Sequence, residues 1–505
     1  MGFGPSGLFP FGPRRGKHAG SSREGPAIPA KELRVNTCVL ALCAALAAVC
    51  SSASAAESST AFASTYQAPP SRPTLIRNAT ILTGTGTRLD GADVLLRDGK
   101  VEAVGRALAA GDAEVVDGSG RWVTPGLIDV HSHLGVYASP GMAAHADGNE
   151  MVDPVTAQVW AEHAVWPQDP GFQTALEGGV TTMQILPGSG NLVGGRGVTL
   201  RNVQATTYQA MKFPGAPHGL KMACGENPKR YYGGLMRAPM TRMGNVAGYR
   251  QAFADAQEYQ RGLDKYVREL AAYEKKRGKA KGKDEEAAPP SPPKRDLRLE
   301  TLAAAMRGEV LLQIHCYRAD EMAIMLDIAT EFGFRISAFH HGVEAYKLAD
   351  TLAARGVCGA LWADWWGFKM ESYDGIQENI ALVDRPANGC AIVHSDSEEG
   401  IQRLNQEAGK AMARGVRAGL AIGPERAIRW ITANPARALG IADRTGTLEP
   451  GKLGDVVVWN RDPFSVYALA ERVYLEGALV YDRARPAAKP RSDFLLGQPG
   501  QAVQP

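Results

Sequence analysis

Short apolar runs alternate with polar, helix-favouring stretches through the middle of the chain. Seven runs are clear and an eighth is weaker; they cover residues 127–133, 181–186, 219–224, 310–316, 336–340, 357–361, 390–394 and, less distinctly, 197–203. This alternation is typical of β/α repeats with parallel strands, and eight strands are enough to close a barrel. The pattern therefore predicts an α/β fold in which residues 123–438 form a (β/α)8 TIM-type barrel.

Short alternating strands separated by glycine turns flank this region on both sides. They cover residues 74–82, 93–105, 113–118, 454–459 and 473–481. Strands of this length and spacing are typical of a small all-β unit. We therefore expect one accessory β-sandwich domain built from residues 74–122 and 439–485, with a linker over 56–73 and a C-terminal tail over 486–505.

One segment interrupts the barrel pattern. Residues 249–277 are polar and favour a surface helix, and residues 278–296 combine charges with several prolines. The second stretch is typical of a solvated, mobile insertion. A basic recognition patch is less favoured, because Asp284, Glu285 and Glu286 interrupt the lysines.

The N-terminus has the organisation of a targeting segment. Lys31 precedes the apolar run 38–49, and a small-x-small site ends at Ala55. The run is too short for a stable transmembrane anchor. We expect residues 1–55 to comprise an N-terminal extension and a signal peptide, so that the protein is exported to the periplasm or secreted.

Composition and charge narrow the class of partner. The chain has 505 residues, 45% of them hydrophobic, which is enough for a large core, and its formal net charge is only +3. So small a charge does not favour nucleic acid or an anionic membrane. We expect a small-molecule substrate as the partner, and the composition leaves a homo-oligomer open.

The cysteines beyond the predicted signal peptide lie in apolar, strand-like segments. They are Cys224, Cys316, Cys358 and Cys390. Their spacing resembles neither a disulfide framework nor a zinc ribbon, and a cysteine in such a segment usually behaves as a small buried hydrophobe. We therefore expect free, buried thiols.

Histidines stand at the ends of several predicted strands. His131 and His133 end the first run and, two residues apart, leave the same face of the strand. His315 ends a later run, and His340 and His341 end the next one. Because adjacent strand residues point to opposite faces, we expect only one of these last two to reach a shared centre.

The last predicted strand and the third supply further polar candidates. His394 and Asp396 follow the last one on a common face, whereas Lys221 lies inside a strand and Glu226 in its exit loop. Any one of these residues, taken alone, can be structural, as a hydrogen-bonded histidine, a helix cap or a lysine whose charged end reaches water. Their joint placement at strand ends of one barrel favours a metal site.

The combination resembles the amidohydrolase superfamily. The residues that carry the resemblance are the run from Pro125 to His133, His315, His341-Gly342, Ser395-Asp396, and the tail motifs over 432–440 and 446–458. The similarity extends from about Thr74 to Asp482 and is nearest in character to the imidazolonepropionase-like branch, which includes dipeptidases. It implies a metal-dependent hydrolase of carbon–nitrogen bonds on a distorted (β/α)-barrel with an accessory β-sandwich.

The resemblance also implies a ligand set. His131 and His133 would bind the more buried metal together with Asp396, and His315 and His341 the more exposed one. His341 is preferred to its neighbour because the family's ligand at this strand often precedes glycine. The ligand types suit one or two Zn²⁺ ions, and Mn²⁺, Fe²⁺ or Co²⁺ can bind the same set.

A bridging lysine is the open part of this set. Many family members bridge two metals with a carboxylated lysine, and Lys221 occupies the corresponding strand. An unmodified ammonium carries only donors and cannot lie between cations, so Lys221 would have to be carboxylated to serve. Glu226 as the ligand, or a single metal, are the alternatives.

The resulting prediction is an exported, metal-dependent amidohydrolase. A metal-activated water attacks the carbonyl of a small amide, cyclic amide or dipeptide, with Asp396 as general base and then general acid. A deaminase or lactone hydrolase on the same centre is an alternative, as is a non-catalytic binding protein, which would be expected to lack some ligands. Candidates to contact the substrate are His394, Tyr317, Arg318 and Arg230, for which a structural or merely exposed role is equally open.

Overall fold

The first five strands of the chain form part of an accessory sheet that contains both antiparallel and parallel pairs. They are β1 (Thr74–Leu82), β2 (Arg88–Arg97), β3 (Lys100–Gly105), β4 (Glu114–Asp117) and β5 (Trp122–Pro125). β1 is the hub of this group, since it pairs antiparallel with β2 on one edge and parallel with β4 and β5 along the other. The predicted domain boundary at residue 122 falls at the start of β5.

The eight apolar runs of the middle region form one sheet of eight strands, in sequence order. They are β6 (Leu127–Ser132), β7 (Val180–Ile185), β8 (Val193–Arg201), β9 (His218–Ala223), β10 (Val310–Cys316), β11 (Ile336–His341), β12 (Cys358–Leu361) and β13 (Ala391–Val393). Most of their side chains are buried on both faces, as in a barrel wall. The predicted barrel is confirmed in its strand number and order.

One strand departs from the predicted parallel repeat. β8 runs antiparallel to both of its neighbours, β7 and β9, whereas the other neighbouring pairs are parallel. Only residues 186–192 connect β7 to β8. A connection this short makes a hairpin, because a parallel crossover needs about a dozen residues or more. The barrel is therefore a distorted version of the regular one.

The C-terminal segment completes the accessory sheet. β14 (Val456–Trp459) pairs antiparallel with β5, and β15 (Ala470–Leu475) and β16 (Ala478–Asp482) continue the sheet beyond it. Both ends of the chain thus contribute to one hydrogen-bonded sheet of eight strands, as predicted. Its core is built from alternating residues such as Ile76, Val94 and Val456.

Helices connect the barrel strands and pack against them. They are α1 (Pro170–Glu177), α2 (Tyr208–Met211), α3 (Glu226–Gly234), α4 (Arg242–Lys279), α5 (Leu297–Met306), α6 (Ala319–Phe332), α7 (Ala349–Arg355), α8 (Asn379–Asp384), α9 (Leu404–Arg417), α10 (Pro424–Ala427) and α11 (Ala433–Ala438). The predicted surface helix corresponds to α4, which begins earlier than expected. Its first turns bury Tyr249, Phe253 and Ala256 in the barrel core.

This computed structural model describes residues 62–139, 141–279, 288–365 and 367–485. The predicted signal peptide, the start of the predicted linker, part of the predicted insertion (280–287) and the predicted tail lie outside the described residues. The described residues from Phe62 to Arg485 form a single unit by their internal contacts. Within the described ranges, no helix has the length and apolarity required to span a bilayer.

The four cysteines form two disulfides, so the prediction of free thiols is wrong. Cys224 is bonded to Cys316 and Cys358 to Cys390, with Cα–Cα distances of 5.2 Å and 4.6 Å. Each pair lies on neighbouring parallel strands, next to positions that are directly in register. The spacing of the cysteines along the sequence did not reveal the pairing, because neighbouring barrel strands are separated in sequence by a complete β/α repeat.

A buried set of charges joins the barrel to the accessory sheet, and we call it the junction cluster: Arg201, Asp455, Thr182, Thr445 and Glu476. The guanidinium of Arg201 donates to both carboxylate oxygens of Asp455, at 2.8 and 2.6 Å. Thr182 accepts from the guanidinium at 2.9 Å, and the Thr445 hydroxyl and the Glu476 amide donate to Asp455 at 2.7 and 3.0 Å. These partners satisfy both charges inside the protein.

Candidate metal centre

The carboxyl ends of the barrel strands bring the predicted histidines together with one aspartate. We call this group the histidine cluster: His131 and His133 at the end of β6, His315 on β10, His341 at the end of β11, and His394 and Asp396 after β13. β10 and β11 are neighbouring parallel strands, and β6 and β13 are the two end strands of the same sheet. Their carboxyl ends therefore meet, as the barrel prediction required.

Asp396 lies between the two histidines of the first strand. Its Oδ1 atom is 3.4 Å from Nε2 of His131 and 3.1 Å from Nε2 of His133. Its Oδ2 atom is 3.8 Å from Nδ1 of His341. One carboxylate thus contacts or approaches three of the predicted metal ligands. Asp396, His131 and His133 can each direct one ligand atom at a shared point.

A second group of ligand atoms shares His131. His131, His341 and His394 each offer one nitrogen within 4.8 Å of the others. The ring of His315 is beside them, with its centroid 4.5 Å from that of His341. Two overlapping ligand groups are what a centre for one or two cations requires.

A hydrogen bond orients the His133 ring, and other ring nitrogens of the cluster lack a hydrogen-bond partner among the described residues. Nδ1 of His133 is 2.8 Å from the carbonyl oxygen of Leu186. A carbonyl oxygen only accepts, so this bond assigns the hydrogen to Nδ1 and, in the neutral ring, directs the lone pair of Nε2 at Asp396. Among the described residues, both ring nitrogens of His315 lack a hydrogen-bond partner, and so does Nδ1 of His341.

This donor set fits a divalent cation. Imidazole lone pairs and a carboxylate oxygen that converge without a proton between them repel one another unless a positive charge compensates them. Neutral imidazole and carboxylate are also the ligands that Zn²⁺ and related cations take in proteins. The buried, unpartnered nitrogens are therefore explained by a metal centre.

Burial sets the protonation of the cluster in the same sense. It holds the pKa values of His131, His315 and His341 well below the ordinary value, which favours the neutral ligand form. Burial alone would raise the pKa of Asp396, but the polar groups that face it, His133 first among them, outweigh burial and hold that pKa below its usual range. The carboxylate is thus ionised at neutral pH.

The loop that carries Asp396 is fastened to the opposite edge of the sheet. The Asp396 amide donates to the His131 carbonyl at 3.0 Å, and Asp396 itself has a φ of 49°. The buried carboxylate of Asp129 accepts from the hydroxyl of Ser395, from its amide at 3.3 Å and from the His131 amide at 3.1 Å. These bonds join β13 to β6 and hold the ligands at the two ends of the sheet together.

Comparison with known proteins agrees with this geometry. A model described as "Amidohydrolase family" matches residues 122–482, which include the whole histidine cluster. The chain belongs to the amidohydrolase family. The predicted family is therefore confirmed.

Individual relatives of this amidohydrolase-family chain extend the comparison. It is 31% identical over 452 residues to Amidohydrolase tasK of Hapsidospora irregularis, a match that covers 83% of this chain and 44% of that protein. The chain thus spans less than half the length of that relative. An imidazolonepropionase of Chromobacterium violaceum is 36% identical over 146 residues, covering 24% of this chain and 35% of that one.

A solved structure supports the fold of the amidohydrolase-family chain. It is described as an amidohydrolase from Thermotoga maritima MSB8, is 34% identical, and superposes with a TM-score of 0.69 over 81% of this chain and 100% of that one. Together with the observed strands, this likeness confirms the predicted barrel class. The similarity to an imidazolonepropionase is consistent with the predicted branch of the family.

Lys221 lies inside the amidohydrolase centre. It is fully buried, and its Nζ atom is 3.0 Å from Nε2 of His131. Burial lowers its pKa to about 8. No carboxylate of the described residues forms an ion pair with it, so a free ammonium here would be a buried cation among imidazoles.

Glu226, the alternative ligand, occupies a different position. It is the first residue of α3, its amide donates to Glu371 at 2.8 Å, and its carboxylate is 3.7 Å from the guanidinium of Arg230. It belongs to neither of the two ligand groups found among the described residues. The structure therefore brings Lys221, not Glu226, against the histidine cluster.

The predicted substrate contacts separate into two kinds. The ring of Tyr317 is stacked on His341, with centroids 5.4 Å apart, and His394 is inside the cluster. Arg318 instead pairs with Asp320 at the start of α6, at 2.9 Å. Arg230 is largely exposed and lines a cavity of about 550 Å³ on the same side of the barrel as α3.

Two neighbours of the ligands were not predicted to act there. Trp362 directly follows β12, stacks on His341 with centroids 4.3 Å apart, and donates to the Ser395 carbonyl at 3.3 Å. Its place at a strand end was the available signal. His340, expected to point away, contacts His131 as well, since its ring centroid is 4.7 Å from that of His131.

Among the described residues the ligand groups include His341 and not His340, which contacts His131 at the ring nitrogen that faces away from Asp396. His341 has a φ of 70°, a left-handed conformation, where β11 ends. The alternation of side chains across a strand stops at such a residue. His340 consequently approaches His131 from one side, while the ring of His341 is 4.9 Å from it on another.

Proposed function

We propose that this chain is a metal-dependent hydrolase that cleaves the carbon–nitrogen bond of a small amide, a cyclic amide or a dipeptide. The observation that carries the proposal is the convergence of two imidazole nitrogens, from His131 and His133, on one carboxylate oxygen of Asp396 at 3.4 and 3.1 Å. These three residues would hold one cation, and His315 and His341 would serve a second. Zn²⁺ suits the ligands best, with Mn²⁺, Fe²⁺ or Co²⁺ as alternatives.

The proposed chemistry divides between the cation and the protein. When bound, the cation supplies Lewis acidity that polarises the scissile carbonyl and lowers the pKa of a water to about 7. Asp396, ionised and half-buried, would accept the proton that this water loses as its oxygen bonds to the carbonyl carbon. Asp396 would then deliver the proton to the nitrogen as the carbon–nitrogen bond breaks, which leaves an amine and a carboxylic acid that ionises by releasing its proton to solvent.

The neighbours of Asp396 hold this geometry. Nε2 of His394 accepts the amide N–H of His341 at 3.3 Å, which fixes the backbone at the point where it adopts its left-handed conformation. Tyr317 and Trp362 stack on His341 and cover one side of its ring. We propose that these aromatic rings also form part of the surface that the substrate contacts.

We also propose that Lys221 is carboxylated in the active enzyme. The buried amine is in contact with His131 and lacks a carboxylate partner among the described residues, and its lowered pKa favours the neutral amine that reacts with carbon dioxide. Carboxylation would convert a donor into a ligand between the two cation positions. Protein loaded with ¹³C-bicarbonate should show a carbamate carbon resonance that is missing from the variant Lys221→Gln, and its absence from the wild type would contradict the carboxylation.

The compartment is a further proposal. The targeting pattern over residues 31–55 and the two disulfides support an exported, periplasmic or secreted protein, because disulfides persist mainly in oxidising compartments. Fractionation of cells that express the full chain tests this. A full-length, unprocessed product in the cytoplasm would contradict export.

Substrate screening tests the hydrolase proposal. Zinc- or manganese-loaded protein is incubated with dipeptides, N-acyl amino acids and cyclic amides, and both the amine and the carboxylate products are measured. We expect at least one class to be hydrolysed by the wild type and not by Asp396→Asn. Release of ammonia alone from amino-substituted rings would favour the deaminase, and metal-loaded protein that turns over no member of any class would contradict the proposal.

A further inference from the structure

Three buried side chains form a hydrogen-bonded line behind the histidine cluster. Gln313 on β10, His340 on β11 and His131 on β6 are each fully buried. Oε1 of Gln313 is 2.8 Å from Nε2 of His340, and Nδ1 of His340 is 2.9 Å from Nδ1 of His131. Nε2 of His131 is at the other end of its ring, facing Lys221 and Asp396.

The orientation of the Gln313 amide fixes the first hydrogen in this line. Its Nε2 atom donates to the carbonyl oxygen of Ala438 at 3.2 Å. A carbonyl oxygen has no hydrogen to give, so the NH₂ group must be on that side and the amide oxygen must face His340. Nε2 of His340 therefore carries a hydrogen and donates it to Gln313.

The second hydrogen follows from the first. His340 is buried, and no described carboxylate forms an ion pair with it, so a neutral ring is favoured and its Nδ1 atom is left as an acceptor. One of two nitrogens 2.9 Å apart must carry the shared hydrogen, and this leaves Nδ1 of His131 as the donor. With its hydrogen on Nδ1, neutral His131 has a free lone pair on Nε2.

We propose that Gln313 and His340 are positioning residues, which hold the hydrogen of His131 on Nδ1 and thereby keep Nε2 available as a metal ligand. This inference rests on the proposed metal-dependent function. The opposite amide orientation would reverse every donor in the line and place a hydrogen on the nitrogen that faces Asp396. The Ala438 carbonyl thus selects the state of His131 that can bind a cation.

Substitutions of Gln313 separate this role from packing. Gln313→Leu removes the acceptor, whereas Gln313→Glu, in its protonated form, can accept from His340 and donate to Ala438 as the glutamine does. We expect the affinity for Zn²⁺, measured by competition with a chromogenic chelator, to fall by about 10- to 100-fold in Gln313→Leu. In Gln313→Glu it should stay within about threefold of the wild type, because the donor and acceptor pattern is preserved.

Substitution of His340 provides a second test with a spectroscopic readout. His340→Phe keeps the ring but leaves Nδ1 of His131 without an acceptor. We expect the same loss of Zn²⁺ affinity and a changed visible absorption spectrum of the Co²⁺-loaded protein. The matched control is His218→Phe, which removes a half-buried histidine bonded to Glu162 at 2.9 Å, at the amino end of β9, and should retain the wild-type affinity and spectrum.

The outcomes distinguish this inference from the proposed function. Weakened binding in Gln313→Leu and His340→Phe, with Gln313→Glu and the control near the wild type, supports the line of hydrogen bonds. Wild-type affinity and spectrum in both disruptive variants overturn it while leaving the metal centre intact. A wild-type protein that binds no divalent cation overturns the proposed function, and with it this inference.

Discussion

Two buried polar clusters in this protein differ in whether they are complete. In the junction cluster, Arg201 and Asp455 face each other at 2.8 and 2.6 Å, and among the described residues only the Nε atom of that guanidinium lacks a partner. In the histidine cluster, lone pairs and a carboxylate converge, and both ring nitrogens of His315 have no described partner. The first cluster pairs its charged groups within the protein, whereas the second has the ligand set that a bound cation would complete.

This difference separates stability from chemistry. A cluster whose charges are paired internally holds the fold together, and removing one partner leaves the other buried and uncompensated. A cluster of unpaired metal ligands contributes to catalysis only when the metal is bound. Substitutions in it should therefore lower turnover more than they lower the stability of the metal-free chain. Each prediction below tests one side of this contrast.

The largest expected effect is on turnover in the histidine cluster. Asp396→Asn removes the proton acceptor while keeping the size of the side chain, so we expect turnover to fall by about 100- to 10,000-fold. The melting temperature of the metal-free protein should change little. Steady-state kinetics and thermal unfolding measure the two. Asp364→Asn, at a partly exposed aspartate that pairs with Lys410, is the matched control, and turnover in Asp396→Asn close to this control would contradict the role of Asp396.

The next effect is on stability in the junction cluster. Asp455→Asn removes the carboxylate that accepts two hydrogen bonds from the buried Arg201 and leaves it only the Glu476 carboxylate at 3.2 Å, so we expect the free energy of unfolding to fall by up to about 3–5 kcal/mol. Urea denaturation of the metal-free protein measures this, and the folded fraction should still bind metal with wild-type affinity. A free energy of unfolding within experimental error of the wild type would show that the ion pair between Arg201 and Asp455 does not stabilise the fold.

A smaller effect concerns the pH dependence of stability. Burial alone would raise the pKa of Asp455, but the charge and hydrogen bonds of Arg201 outweigh it and hold that pKa below its ordinary value. An acid with a depressed folded pKa contributes stability above its unfolded pKa of about 3.9 and loses it as the pH falls. We therefore expect the metal-free wild type to lose up to about 1.4 kcal/mol more per pH unit below pH 4 than Asp455→Asn. Parallel curves from urea denaturation at several pH values would contradict this.

The smallest effect separates two neighbouring residues after β10. The guanidinium of Arg318 is paired with Asp320, so Arg318→Ala should change kcat/KM by less than about twofold. Tyr317→Leu should have a clearly larger effect, because that ring is stacked on His341. Kinetics with one common substrate compare the two variants. A loss of kcat/KM in Arg318→Ala that equals or exceeds the loss in Tyr317→Leu would instead indicate that Arg318 contacts the substrate.

The sequence was sufficient to predict much of this architecture. Strand ends with His131, His133 and Asp396 were recognisable because apolar runs mark buried strands and a spacing of two places side chains on one face. The barrel then brings residues that are distant in sequence to the same rim. The structure places these predicted ligands within hydrogen-bonding or ion-pair distance of one another.

Other features depended on contacts that a linear pattern does not contain. The direction of β8 follows from the short connection before it, which its apolar run does not specify. The disulfide between Cys224 and Cys316 depends on strand register. The contact of His340 with His131 depends on where β11 ends and on the left-handed backbone of the residue that follows.

The measurement that tests the central claim most directly is the metal content of the purified full chain. Inductively coupled plasma mass spectrometry of the wild type should find one to two tightly held divalent cations per chain. The double variant His131→Ala/His133→Ala should retain almost none, while its circular dichroism spectrum shows that it is still folded. No bound metal in the wild type, or an unchanged content in the double variant, would contradict the claim that the histidine cluster is a metal centre.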